Sequence, residues 1–325
     1  MVSRLNKKGI AITFDWMFSI VAGVLIFSFL IYFAVQNTDL FGKVTARIVS
    51  EELDILFSGY ETAQVSTVLD FGREATLDFR CDEINKRQKF MINDREGKNL
   101  WGKIIFAPKN VKSDKINVAT ASWNAPFRVA NFVYLWDKRY LLDYDSDLEL
   151  PEWVNPSASG DINIKFARDS SLALSSSSSF DCSYNFRTSN NEEYDKVIYY
   201  DKNPSDDDVR GYVCFKGKEK SFFYGEAMMI GAIFSESKIE FDCVKDIAVD
   251  RLKIVNDIYT KKVSNLIISD RSCNPNFGAS YNNAVHEIDN NGMLEKDFDS
   301  FDFGYVNRIR SANQNLISTG CAGVY

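Results

Sequence analysis

Only one histidine, His286, is available as a base in the 325 residues, so a Ser-His-Asp or Cys-His mechanism has a single candidate. It sits in the Asn-rich run Ser280-Tyr-Asn-Asn-Ala-Val-His286, and His286-Glu287 has no second histidine at zinc-protease spacing. A surface or local hydrogen-bonding role is expected. No Gly-x-Ser-x-Gly, Gly-x-x-x-x-Gly-Lys or Gly-x-Gly-x-x-Gly run occurs. The chain therefore reads as a non-enzyme with no catalytic residue and no cofactor. Paired carboxylates leave no spacing signature, which keeps an anchored carboxylate-dependent hydrolase as one alternative.

Other chemistry-bearing residues point to structure. Cys81, Cys182, Cys214, Cys243, Cys273 and Cys321 are even in number and show no Cys-x-x-Cys spacing, which suits disulfides, or buried thiols, better than zinc. Sequence does not choose their connectivity. Asp143-Tyr-Asp-Ser-Asp-Leu-Glu149 alternates carboxylates like a calcium loop, but Leu148 and Val154 stand where an EF-hand needs glycine and glutamate. No metal is expected. Asp206 to Asp208 and Asp297, Asp299 and Asp302 read as solvated loop charges.

The net charge is −7, with basic and acidic residues interspersed. Phosphate neutralisation needs a basic surface, so the charge disfavours a nucleic-acid partner and none is expected. The lipid bilayer is the partner the sequence does specify. Trp16 to Val35 is 20 residues without a charge, and at about 1.5 Å per residue it matches a hydrocarbon core of about 30 Å. A mean hydropathy of −0.22 over the chain allows a single span and little more. Arg4, Lys7 and Lys8 precede the span and Asp39 follows it. The positive-inside bias then predicts a cytoplasmic N-terminus and an extracytoplasmic bulk. The run is longer than the apolar core of a secretory signal and ends in Phe-Ala-Val-Gln-Asn-Thr-Asp39, a poor cleavage context. Trp16 and Tyr32 read as interfacial anchors.

Lys7-Lys8-Gly9-Ile10, followed by Asp15 and the apolar run, resembles the class III signal of archaeal type IV pilin-like proteins. The resemblance covers about 60 residues, a length set by one membrane-spanning helix and its continuation. It implies cleavage by a prepilin peptidase between Gly9 and Ile10, with Lys7 and Lys8 as leader-recognition residues. It also implies that the apolar segment is the first half of a long helix that assembles with other copies or other subunits, Asp15 being the helix-assembly acid. The commonest family pattern has Gln, Ser and Glu at the first, third and fifth mature positions. Here Ile10, Ile12 and Phe14 stand there, and the acid is one residue later. A second stretch, Trp123-Asn-Ala-Pro-Phe-Arg-Val-Ala-Asn-Phe-Val-Tyr-Leu135, resembles a segment of membrane-anchored proteins of small-genome archaea with the same N-terminal arrangement.

The expected organisation is a leader over 1–9, a transmembrane helix over 10–36, an amphipathic stalk over 37–62, a β-rich part over 63–168, a Ser-rich linker over 169–195 and an α+β part over 196–325. The stalk rests on Leu40, Val44, Ile48, Leu53 and Leu56, with Gly59 ending it. Strands are expected at Lys103–Phe106, Ile116–Trp123, Val197–Tyr200, Tyr212–Phe215, Phe222–Tyr224, Ala227–Phe234 and Ile239–Cys243. The aromatic stretch Phe127–Trp136 reads as sheet core, an aromatic carbohydrate or peptide groove being the alternative. A helix is expected over Val244–Ile268, with Ile247, Ala248, Leu252, Val255, Ile258, Val263 and Leu266 facing a sheet. A last short helix holds Val306, Ile309, Leu316 and Ile317, and Cys321 is placed to pin the tail. The fold class is α+β: a long N-terminal transmembrane and amphipathic helix, then a β-rich ectodomain with a C-terminal helix-on-sheet part. This suits a pilin-like minor or accessory subunit of a surface filament or secretion-type assembly. A monomeric anchored cell-surface binding protein is the other alternative.

Overall fold

The computed structural model describes residues 7–82, 84–93, 95–143, 148–154, 161–168, 182, 193–202, 208–217, 219–269, 304–318 and 320–325. Contacts divide the chain into two units, Met1–Glu52 and Leu53–Tyr325. Helix α1 runs Lys7–Tyr60. Within it Trp16–Phe33 has a mean hydropathy of 2.2 and is 0% buried, so it is long and apolar enough to cross a membrane. A membrane anchor and a signal sequence share that property. Lys7, Lys8, Gly9, Ile10 and Asp15 all lie in helical backbone.

Residues Leu53–Tyr60 of α1 belong to the second unit. Leu53 and Phe57 are buried, and Phe57 meets the ring of Phe90 edge-on at 6.0 Å. Asp54 pairs with Lys98 at 2.8 Å and with Lys103. Burial pushes the Asp54 carboxyl up, but the two ammonium groups outweigh it and hold it below its ordinary value.

The second unit contains two sheets. Strands β1 (Ser66–Asp82), β2 (Arg87–Ile92), β3 (Arg95–Leu100), β4 (Ile105–Phe106), β5 (Asn110–Asn124) and β6 (Arg128–Trp136) form the first, in the order β3-β2-β1-β5-β6-β4. Its pairs are antiparallel except β4 with β6. In β1 the register to β5 shifts between Asp70 and Ala75. Gly72 turns there with φ +67°, and the Asp70 carboxylate accepts its N–H at 2.8 Å. On β2 the side chain of Gln88 donates to the Ile105 carbonyl at 2.7 Å and accepts its N–H at 3.0 Å, which fastens β4 to the sheet from within.

Strands β7 (Tyr140–Asp143), β8 (Ile162–Arg168), β9 (Lys196–Lys202), β10 (Val209–Phe215) and β11 (Lys220–Tyr224) form the second sheet, in the order β11-β10-β9-β8-β7. Because β8 pairs in parallel with β9, strands on both sides of residues 169–195 share one sheet. That segment interrupts a sheet in sequence rather than separating two cores.

Two expected strands are helical. Ala227–Phe234 lies in helix α2 (Glu226–Phe234), in which every residue from Ala227 on is buried. An unbroken apolar run has no period to tell a buried strand from a buried helix, and here Ala227, Met228, Met229 and Ala232 favour the helix. Gly231 lets α2 approach the first sheet: a Cβ there would lie 2.8 Å from the ring of Phe106. Ile239–Cys243 opens helix α3 (Lys238–Ser269). The cause is a reciprocal cap, in which the Ser237 hydroxyl accepts the Glu240 N–H at 3.3 Å and the Glu240 carboxylate accepts the Ser237 N–H at 3.2 Å. Ala248, Leu252 and Val263 of the expected stripe are buried, whereas Ile258 is 57% exposed. Helix α4 (Gly304–Ser318) buries Val306, Ile309 and Ala312.

Most of the largest fully buried side chains, among them Trp123, Tyr134, Tyr200, Phe106, Phe132 and Phe241, belong to one cluster fed by both sheets, α2 and α3, whereas Phe57 and Phe90 lie outside it. Most of Phe127–Trp136 is therefore core, as expected.

Two disulfides fix distant parts of this unit. Cys81 at the end of β1 joins Cys243 in α3 across 162 residues, and Cys182 joins Cys214 of β10 across 32. In the chain-entropy picture such closures stabilise by roughly 2–4 kcal/mol each, the longer loop more. Cys321 is also disulfide-bonded, and Cys273 lies outside the described residues. The tail is held by Asn313 as well, whose side chain accepts the Val324 N–H at 2.6 Å and donates to the Tyr325 carbonyl at 3.1 Å.

Candidate functional site

The chain leaves the first sheet at Trp136 and enters the second at Tyr140. The link between them, Asp137-Lys-Arg139, floors a cavity of about 230 Å³. Asn117, which pairs with Trp136 across β5 and β6, lines it from the first sheet. Trp153 and Val154, in a single 3₁₀ turn, and Ile233 and Phe234, at the end of α2, close it.

Aromatic packing builds the walls. Trp136 stacks on Phe234 with centroids 4.7 Å apart, Tyr140 meets Phe234 edge-on at 5.3 Å, and Trp153 stacks on Tyr134 at 5.4 Å. The polar groups are few. Asp137 accepts the Lys112 N–H through one oxygen at 3.3 Å, while its other oxygen is buried without a partner among the described residues. The Tyr140 hydroxyl is buried without a partner too. Burial, and the nearby Asp137 and Glu236 carboxylates, push that phenol well above its usual range, so it stays a neutral donor.

A buried cation holds the end of α2. Lys196, the first residue of β9, is 3% exposed and donates to the carbonyls of Ala232 at 3.1 Å, Ile233 at 2.8 Å and Ser235. These are orphan acceptors at the end of α2, where a positive charge also suits the helix dipole. Burial pushes the ammonium down to about 7, against the pull of Asp195, Glu236 and Glu240. By fixing the last turn of α2, Lys196 positions Ile233 and Phe234 in the cavity wall.

A second polar cluster is partly buried. Ser221, 1% exposed, receives a hydrogen bond from Lys245 at 2.7 Å and donates to Asp242. Lys245 and Lys238 both pair with Asp242. Burial pushes the Asp242 carboxyl up, but the Lys245 charge and the other donors outweigh it and hold it low. A serine beside a lysine suggests nucleophilic catalysis. Here the lysine is an ion-paired ammonium and the hydroxyl already donates to a carboxylate, so the trio is a structural pin between β11 and α3.

Asp208, expected to be a solvated loop charge, instead accepts from Tyr224 and Arg310, each at 2.7 Å, and so joins β11 to α4. In the calcium-like run, Asp143 accepts from the Tyr194 hydroxyl at 2.7 Å, and residues 144–147 lie outside the described residues. His286, Asp206, Asp207 and the Asp297, Asp299 and Asp302 cluster lie outside them as well. Among the described residues no group of three or more His, Cys, Asp or Glu could hold a metal. The cavity contributes one carboxylate, Asp137, where a glycosidase needs two.

The sequence missed Asp137, Tyr140, Trp153 and Lys196. Trp136 alone carried a signal, as the end of the aromatic run. No protein-family model matches the chain, and no curated protein or solved structure matches it.

Proposed function

We propose that the chain is a single-pass, membrane-anchored extracytoplasmic protein of pilin-like construction, serving as a minor or accessory subunit of a surface filament or secretion-type assembly. One observation carries the reading. The 54-residue helix α1 holds in order Lys7-Lys8-Gly9, the apolar stretch Trp16–Phe33 and the buried pair Leu53 and Phe57. A helix that is lipid-soluble in its first half and protein-packed at its end is how pilin-like subunits are built. The leader would be cut between Gly9 and Ile10 by a prepilin peptidase, leaving Asp15 near the new N-terminus for assembly. The unit beyond residue 52 has 273 residues by its bounds Leu53–Tyr325, large for a subunit that makes the bulk of a filament, which favours an accessory place.

Two further points support an outward-facing bulk. Lys7 and Lys8 precede the apolar stretch, in keeping with the positive-inside bias. The Cys81–Cys243 and Cys182–Cys214 bonds belong to an oxidising compartment. Surface labelling tests the orientation. Lys112 and Lys261 have side chains 62% and 73% exposed, and a membrane-impermeant amine reagent applied to intact cells is expected to modify both. Modification of these lysines only after lysis would overturn the outward topology.

A further inference from the structure

We draw no further inference here: the strongest candidate, the apolar surface patch that Ile254 and Ile258 make one turn apart on α3, 60% and 57% exposed, carries nothing because nothing in the structure shows what covers it.

Discussion

Trp123→Ala is expected to lower the stability of the globular unit by about 3–5 kcal/mol, the range for emptying a large aromatic site. Trp123 is 1% exposed on β5. Its ring stacks on Phe132 with centroids 5.3 Å apart, and its indole N–H donates to the Tyr224 carbonyl at 2.8 Å, joining the first sheet to the end of β11. Gly225 is shaped around it. That residue has φ +84°, and a Cβ there would come within 3.2 Å of the indole. Substitution therefore opens a cavity and removes the buried hydrogen bond from the indole to the Tyr224 carbonyl, two costs that add. Urea unfolding of the detergent-solubilised chain, followed by far-UV circular dichroism, reads the loss. A fall of less than about 1 kcal/mol would show that the contact between the sheets does not depend on Trp123.

Lys196→Met is expected to cost about 2–4 kcal/mol near neutral pH, because three carbonyls at the end of α2 lose their donor. The pH dependence is the sharper signature. The ammonium is pushed down to about 7 in the folded chain from an ordinary value of 10.5. Between these values the unfolded chain holds the proton and the folded chain does not, so stability rises with pH across that window. Below about 7 both states are protonated and this dependence is flat. Chemical unfolding at several pH values across the window is expected to show the rise in wild type and its absence in Lys196→Met. A rise that persists in the variant would assign it to another group.

Much of the β structure was legible. Ile116–Trp123, Val197–Tyr200, Tyr212–Phe215 and Phe222–Tyr224 each fall within an observed strand, because β-branched and aromatic residues sit there between turn signals. Helix α2 was not legible, since Ala227–Phe234 is apolar on every side and periodicity carries no information in such a run. The start of α3 was legible in principle. Ser237-Lys-Ile-Glu240 is a capping-box pattern, and the structure uses it.

The candidate site was hidden for a different reason. Trp136, Trp153 and Phe234 lie far apart in the sequence, and their meeting depends on how α2 crosses the sheets. Nothing around Lys196 announces that its side chain ends a helix 36 residues further on. Local patterns specify elements, whereas long-range packing makes cavities. The Ser221–Lys245–Asp242 trio makes the same point from the other side: residue types that could do chemistry are here committed to holding a strand to a helix.

The pilin-like reading turns on one peptide bond, Gly9 to Ile10. The direct measurement is N-terminal sequencing of the chain extracted from membranes of cells that carry an archaeal prepilin peptidase. A mature chain beginning at Ile10 is the predicted result. A chain that retains its first nine residues in those membranes would contradict it, leaving an anchored protein that is not processed for assembly.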